Sequence, residues 1–267
     1  MKTNVDTRAL IAIAREAGSA IMRVYAGRIA VESKDDNSPL TEADLAAHRV
    51  IVQGLQTLTP EIPVLSEESA DISYTVRSQW RQYWLVDPLD GTREFIKRNG
   101  EFTVNIALIE GDRSVLGVVY APARDLLYFA DESGAWKQQG AEAACSIKVR
   151  QLDPGKITIA GSRSQADARL ARFIDNVEKK LSAVNLISMG SSLKICMVAE
   201  GAADLYPRLG LTSEWDTAAA QCVLERAGGV LLDMEGNRLR YNSKDSLLNP
   251  EFFACGDAAH DWRQYMA

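Results

Sequence analysis

The chain has 267 residues, a net charge of −6, 46% hydrophobic and 25% charged residues, the ordinary balance of a globular protein long enough to bury a sizeable core. An acidic chain with no bulk positive field excludes a general nucleic-acid surface, and no apolar run approaches the roughly 20 residues that span a bilayer. Four scattered cysteines without a C-x-x-C pair, and an opening MKTNVDTRALIAIAREAG that breaks its apolar pattern with charges, point to a reduced, cytoplasmic setting, with peripheral association at the inner face of the membrane left open.

In chain order, residues 6–25 read as an amphipathic helix, with Asp6 as N-cap and Leu10, Ala14, Ala17, Ile21 and Val24 along one face. A second helix is expected from Thr41 to about Leu58, stopped by Thr59-Pro60. Short strands follow at 63–66 (PVLS) and 83–86 (YWLV). TVNIALIE and SVLGVVYA pair as a hairpin through Gly111-Asp112, and LLYFA and GAWKQ pair as another. After about residue 150 the pattern alternates. KITIAGS, VNLIS, ADLYPRL and GGVLLD read as strands; Ala166 to Leu181, SSLKICMVAEG and Asp216 to Ala227 read as helices. The expected fold class is α/β, with a mixed α+β half over residues 1–152 and an alternating α/β half over 153–267, divided within Gln151–Gly155. No internal repeat or low-complexity segment is present.

Chemistry concentrates in WLVDPLDGTREF, Trp84 to Phe95. A buried strand has no need of carboxylates at its tip. Asp87-Pro88-Leu89-Asp90 has the residues of a type I β-turn, which would bring its end Cα atoms within about 7 Å and aim both carboxylates at one point. Two such charges repel each other, and a divalent cation removes the conflict; oxygen-only ligands suit Mg²⁺. Gly91 permits unusual backbone conformations. Thr92 reads as the cap of a helix starting at Arg93, and the free N–H groups there suit an anion. The i, i+3 spacing fits neither an EF-hand loop nor the D-x-D-G-T of haloacid-dehalogenase phosphatases. With only His48 and His260 in the chain, histidine-based nucleophilic catalysis has little to work with.

Other acids are ambiguous singly. Glu67 and Glu68 follow PVLS and equally suit a solvated surface. Asp44 stands three residues after Thr41, a capping-box arrangement. Asp216 opens an alanine-rich helix and equally suits a cap. Together they suggest one mouth lined with acids from both halves.

With S-E-E, D-P-L-D-G-T and W-D-T-A-A in that order, nearly the whole chain resembles the inositol monophosphatase superfamily of metal-dependent, lithium-sensitive phosphatases. Within it, DGTREFIKRNGEFTVNIALIE, GSSLKICMVAEG and ADLYPRLG are similar to the bacterial adenosine bisphosphate nucleotidases of sulfate assimilation; inositol monophosphatases more often read DGTTNF. The resemblance implies a layered αβαβα, sugar-phosphatase-like architecture and removal of the 3′-phosphate from adenosine 3′,5′-bisphosphate, giving AMP and phosphate. The sulfated analogue is a further implied substrate. It also implies two or three Mg²⁺ ions. Glu67, Asp87 and the Leu89 carbonyl would hold one; Asp87, Asp90 and Asp216 a second; a third would share Glu67. Asp44 and Thr92, with Glu67, would be catalytic, orienting or deprotonating the attacking water. Glu67, Asp90, Gly91, Thr92 and Asp216 would meet the phosphate being cleaved. Ser191, Ser192, Lys194 and Arg208 would contact the nucleotide and its retained 5′-phosphate, although a lysine early in a helix and an arginine after Tyr206-Pro207 also suit an ordinary surface. One departure stands out: GSRSQ ends in Gln165 where related nucleotidases often carry a histidine near the adenine.

Three other readings remain open here. An inositol or sugar phosphatase would keep the fold and lack cations aimed at a second phosphate. A two-carboxylate glycosidase would work without metal. A non-catalytic nucleotide-binding module would bind Mg²⁺ without turnover. The sequence does not give the oligomeric state.

Overall fold

The computed structural model describes residues 5–27, 29, 31–33, 39–161 and 168–266. Its helices are α1 (Thr7–Tyr25), α2 (Glu42–Leu58), α3 (Tyr74–Arg77), α4 (Thr92–Ile96), α5 (Ala168–Lys180), α6 (Leu193–Ala199) and α7 (Glu214–Arg226). Strands β1 (Val31–Ser33) and β2 (Pro39–Thr41) pair with each other. The main sheet places β3 (Val64–Ser66), β4 (Gln82–Asp90), β5 (Thr103–Glu110), β6 (Arg113–Ala121), β7 (Leu126–Asp131), β8 (Gly134–Gln139) and β9 (Cys145–Ser146) side by side in chain order. Its β3–β4 pair is parallel and its other pairs antiparallel. The second sheet contains β10 (Ile157–Gly161), β11 (Val184–Ser188), β12 (Leu205–Arg208), β13 (Val230–Asp233) and β14 (Phe252–Cys255), in the order β11-β10-β12-β14-β13.

Alternation along β4 explains the layers. Trp84, Val86 and Leu89 pack with Leu10, Ala14, Ile21, Ile51 and Leu55 of α1 and α2, while Tyr83 and Leu85 pack with α6 and α7. Both faces of this sheet are covered, so its central strands read as continuous apolar runs. Residues of the second sheet, among them Ala160, Tyr206, Leu231 and Ala254, join the same cluster from the far side of α6 and α7. Its opposite face packs through Ile157, Ile159 and Phe253 on Phe173 and Val177 of α5 and on Trp262. The stacking is therefore helix, sheet, helix, sheet, helix. It is the expected αβαβα arrangement.

Helix ends follow local chemistry. The Asp6 side chain accepts the Arg8 backbone N–H, and Thr41 with Asp44 closes a capping box on α2. Helix α7 lies between two sheets and is buried almost all round, from Thr217 to Leu224, which accounts for its alanines. A Cβ at Gly117 would collide with the Ala219 carbonyl, so glycine there lets α7 rest directly on β6.

Three expectations need correcting. Thr92 does not cap a helix that starts at Arg93: α4 begins at Thr92 itself, with Gly91 in the N-cap position and no side-chain cap bond. Asp87-Pro88-Leu89-Asp90 does not form a β-turn; β4 continues through it to Asp90. Asp87 faces Asn105 and Asp90 faces Thr103, so three steps on β4 oppose two on β5. That extra residue is a β-bulge. In a regular strand residues i and i+3 point to opposite faces; the bulge inverts the parity and brings both aspartates to the α6/α7 side. The second sheet is also not a simple alternation, because β14 (FFAC) inserts antiparallel between β12 and β13. The segment 162–167, which holds Gln165 and the expected start of the helix at Ala166, lies outside the described residues.

Candidate active site

Three carboxylates from two parts of the chain converge. Ligand oxygens of Asp87, Asp90 and Asp216 all lie within 4.8 Å of one another. Each is fixed by a backbone donor. The Leu89 N–H donates to Asp87 Oδ1 at 3.0 Å, the Ser192 N–H to Asp90 Oδ2 at 2.6 Å, and the Ser213 N–H to Asp216 Oδ2 at 2.8 Å. Asp216 is thus the third helical residue of a Ser213 capping box and a member of the cluster at once. Burial, with the charges of Glu67 and Asp90, pushes the Asp87 carboxyl well above its ordinary range. Burial and Asp90 raise Asp216 to about 8, and burial also raises Asp90. Glu67, in a single helical turn over Glu67–Ser69, hydrogen-bonds Asp87.

This donor set fits a hard divalent cation. It consists of oxygens alone, on rigid elements, with a mutual repulsion that a bound cation relieves. The residues placed to hold such an ion are Asp87, Asp90 and Asp216, with Glu67 beside Asp87.

On one side of the cluster Thr92 Oγ1 donates to Asp44 Oδ1 at 3.3 Å and approaches the Leu89 carbonyl at 3.4 Å. Asp44 is 2% exposed, and its Oδ2 accepts both the N–H and the hydroxyl of Thr41, each at 2.7 Å. The chain reaches Thr92 through Gly91, whose φ of 91° favours glycine; a side chain there would strike Ser191 Oγ.

On the other side a cleft of about 170 Å³ opens along Asp90, Gly91, Ser191, Lys194, Arg208 and Asp216. Ser191 holds a left-handed φ of 53°, uncommon for a side-chain-bearing residue. Its hydroxyl is spent on the Asp90 and Glu101 carbonyls at 2.8 and 2.7 Å. Ser192 is buried, bonded to Asn105 and Thr103 at 2.9 Å. The Ser191 hydroxyl thus braces Asp90 directly, and the Ser192 hydroxyl does so through Thr103 and Asn105, which both approach Asp90 Oδ2 at 3.4 Å.

Lys194 is 6% exposed and not a surface residue. Its ammonium donates to the Ser191 carbonyl at 2.7 Å and the Met189 carbonyl at 3.3 Å and lies over the Tyr206 ring. Burial lowers it to about 8 despite the Asp90 charge. Arg208 Nη2 donates to the Leu211 carbonyl at 2.7 Å, while its Nε is buried without a partner among the described residues. An orphaned donor on a cleft wall calls for an acceptor from outside.

Sequence reasoning missed several residues of the wall, among them Arg93, Glu94, Tyr206 and Phe252. The first two follow the D-G-T motif directly and carry opposite charges, a signal that was available. Among the described residues no helix is long and apolar enough to cross a membrane.

A model of the inositol monophosphatase family matches residues 3–264. The 3′(2′),5′-bisphosphate nucleotidase CysQ of Escherichia coli strain K12 is 52% identical over 242 residues, covering 90% of this chain and 95% of that protein. The CysQ of Haemophilus influenzae is 38% identical over 257 residues, 95% and 94% of the two chains. Among solved structures, CysQ from Bacteroides thetaiotaomicron superposes with a TM-score of 0.82 at 42% identity, over 94% of this chain and 96% of that one. The chain belongs to the inositol monophosphatase family.

Proposed function

We propose that this protein is a 3′(2′),5′-bisphosphate nucleotidase that hydrolyses adenosine 3′,5′-bisphosphate to AMP and phosphate. The observation that carries the reading is the clustering of Asp87, Asp90 and Asp216 within 4.8 Å beside a cleft walled by Lys194 and Arg208. The substrate class rests on the relatives, nucleotidases about half identical over nine-tenths of the chain.

Mg²⁺ is the proposed cofactor, as two or three ions. Asp87, Asp90 and Asp216 would hold one, and Glu67, Asp87 and the Leu89 carbonyl would hold another, with Glu67 available to a third. When bound, these ions lower the pKa of water and stabilise charge on the phosphoryl oxygens. Thr92 and Asp44 do the proton work. Thr92 Oγ1 keeps its proton toward Asp44, so its lone pairs are free to orient the attacking water. The water's proton passes to Asp44 through Thr92, its oxygen bonds to phosphorus, and the bond from phosphorus to the ribose 3′ oxygen breaks. That oxygen takes a proton from solvent.

Gly91 and Thr92 receive the phosphate being cleaved, with Glu67, Asp90 and Asp216 around it. Arg208 and Lys194 supply positive charge for the retained 5′-phosphate, and Ser191 and Ser192 shape the turn that leads into Lys194. Residues 1–152 thus provide most of the metal site, and 153–267 provide Asp216 and the nucleotide side. The sulfated analogue carries the same 3′-phosphate and is proposed as a further substrate, and the setting proposed for the enzyme is sulfate assimilation and bisphosphate recycling in the cytoplasm. The test compares adenosine 3′,5′-bisphosphate with adenosine 3′-monophosphate. A higher kcat/KM for the bisphosphate is expected; equal efficiency would remove the second phosphate from the reading.

A further inference from the structure

Among the described residues Glu94 is the one carboxylate on the cleft wall outside the acidic cluster. It is half-buried on α4; its charge acts on the Lys194 ammonium and on Asp90 across the cleft, and none of the described residues is hydrogen-bonded to its carboxylate. Two glycines make room for it. A Cβ at Gly190 would come within 2.9 Å of Glu94 Cγ, and one at Gly91 within 3.4 Å of Glu94 Oε2. The side chain is therefore wedged along Gly190 with its carboxylate beside Gly91, next to the cluster.

An ionised carboxylate only accepts hydrogen bonds. It repels a phosphate, so its counterpart on a ligand is a donor. This step rests on the nucleotidase reading: a nucleoside 3′,5′-bisphosphate offers two such donors, the ribose 2′-hydroxyl and the exocyclic amine of the base. Gly91 borders the place where the 3′-phosphate is cleaved, and the hydroxyl on the adjacent ribose carbon is the donor within reach. We infer that Glu94 accepts a hydrogen bond from the ribose 2′-hydroxyl next to the phosphate that is removed, and so selects ribonucleotides over 2′-deoxy analogues.

A hydrogen bond to a charged acceptor changes affinity by about 10- to 150-fold. The experiment measures kcat/KM for adenosine 3′,5′-bisphosphate and for its 2′-deoxy analogue, with wild type, Glu94→Gln and Glu94→Ala. In the wild type the deoxy analogue is expected to be at least tenfold poorer. In Glu94→Ala the two substrates should fall within about threefold of each other, with Glu94→Gln between. A wild-type ratio near one overturns the inference, as does a large ratio that survives in both variants. If Glu94 merely complements the N-terminal N–H groups of α4, its substitution lowers thermal stability and affects both substrates equally, which also overturns it. Efficient cleavage of the ribonucleotide with no discrimination leaves the nucleotidase reading standing; no cleavage of either substrate removes both.

Discussion

Thr92 Oγ1 lies 3.3 Å from Asp44 Oδ1, joining residues 48 positions apart. One belongs to the bulged strand's exit and the other to the first turn of α2, and Asp44 is itself locked by Thr41. A water-activating pair should govern turnover more than binding. Thr92→Val is expected to lower kcat by about 10²–10⁴-fold with KM changed little, whereas Thr92→Ser retains most activity. Steady-state kinetics decide this. Near-normal kcat in Thr92→Val would contradict the assignment.

The acidic cluster makes stability depend on pH and on metal together. Asp216 titrates near 8 in the folded chain against an ordinary value of about 3.9 in an unfolded one. A carboxyl raised in this way binds more protons folded than unfolded, so stability falls as pH rises from about 4 to 8. In chelator the melting temperature should therefore drop across that window. Mg²⁺ should restore it, more at pH 8 than at pH 5. A melting curve indifferent to chelator at pH 8 would speak against a metal site.

Asp90→Asn separates charge from shape. The amide oxygen can still accept the Ser192 N–H that now meets Asp90 Oδ2, so the fold should persist. Removing one charge relieves the repulsion, and in chelator at pH 8 this variant should melt above the wild type. Its affinity for Mg²⁺, read by calorimetry, should fall by more than about 100-fold, the upper range seen for residues that merely support a ligand, and turnover should vanish.

How much of this was legible in the chain follows from which interactions are local. The caps at Asp6 and Thr41 and the boundaries of α1 and α2 depend on neighbours in sequence, and they were readable. The gathering of Asp87, Asp90 and Asp216 was anticipated by resemblance, but its backbone was misjudged: Asp-Pro-x-Asp is locally a turn, and only pairing with Asn105 and Thr103 makes it a bulge. Strand β14 was missed because its partners, β12 and β13, are distant and surround it out of order. Lys194 was read as a nucleotide contact with an ordinary surface lysine as the alternative, and packing against Tyr206, which only the tertiary fold supplies, buries it. Glu94 was marked in sequence only by its place just after D-G-T; its position in the cleft depends on Gly91 and Gly190, which leave room for it.

Lys194 offers a test of the nucleotide side. If its positive charge serves the retained phosphate, Lys194→Gln should raise KM for adenosine 3′,5′-bisphosphate at least about tenfold, within the range for a charged hydrogen bond, and raise it much less for the 3′-monophosphate. Equal increases would make Lys194 an anchor for the Met189 and Ser191 carbonyls and nothing more.

The most direct measurement is phosphate release from adenosine 3′,5′-bisphosphate and from inositol monophosphate, each with Mg²⁺ and with chelator. The account predicts rapid release from the nucleotide, little from inositol monophosphate, and none from either in chelator. Preference for inositol monophosphate would contradict the nucleotide assignment, and undiminished release in chelator would contradict the metal site at Asp87, Asp90 and Asp216.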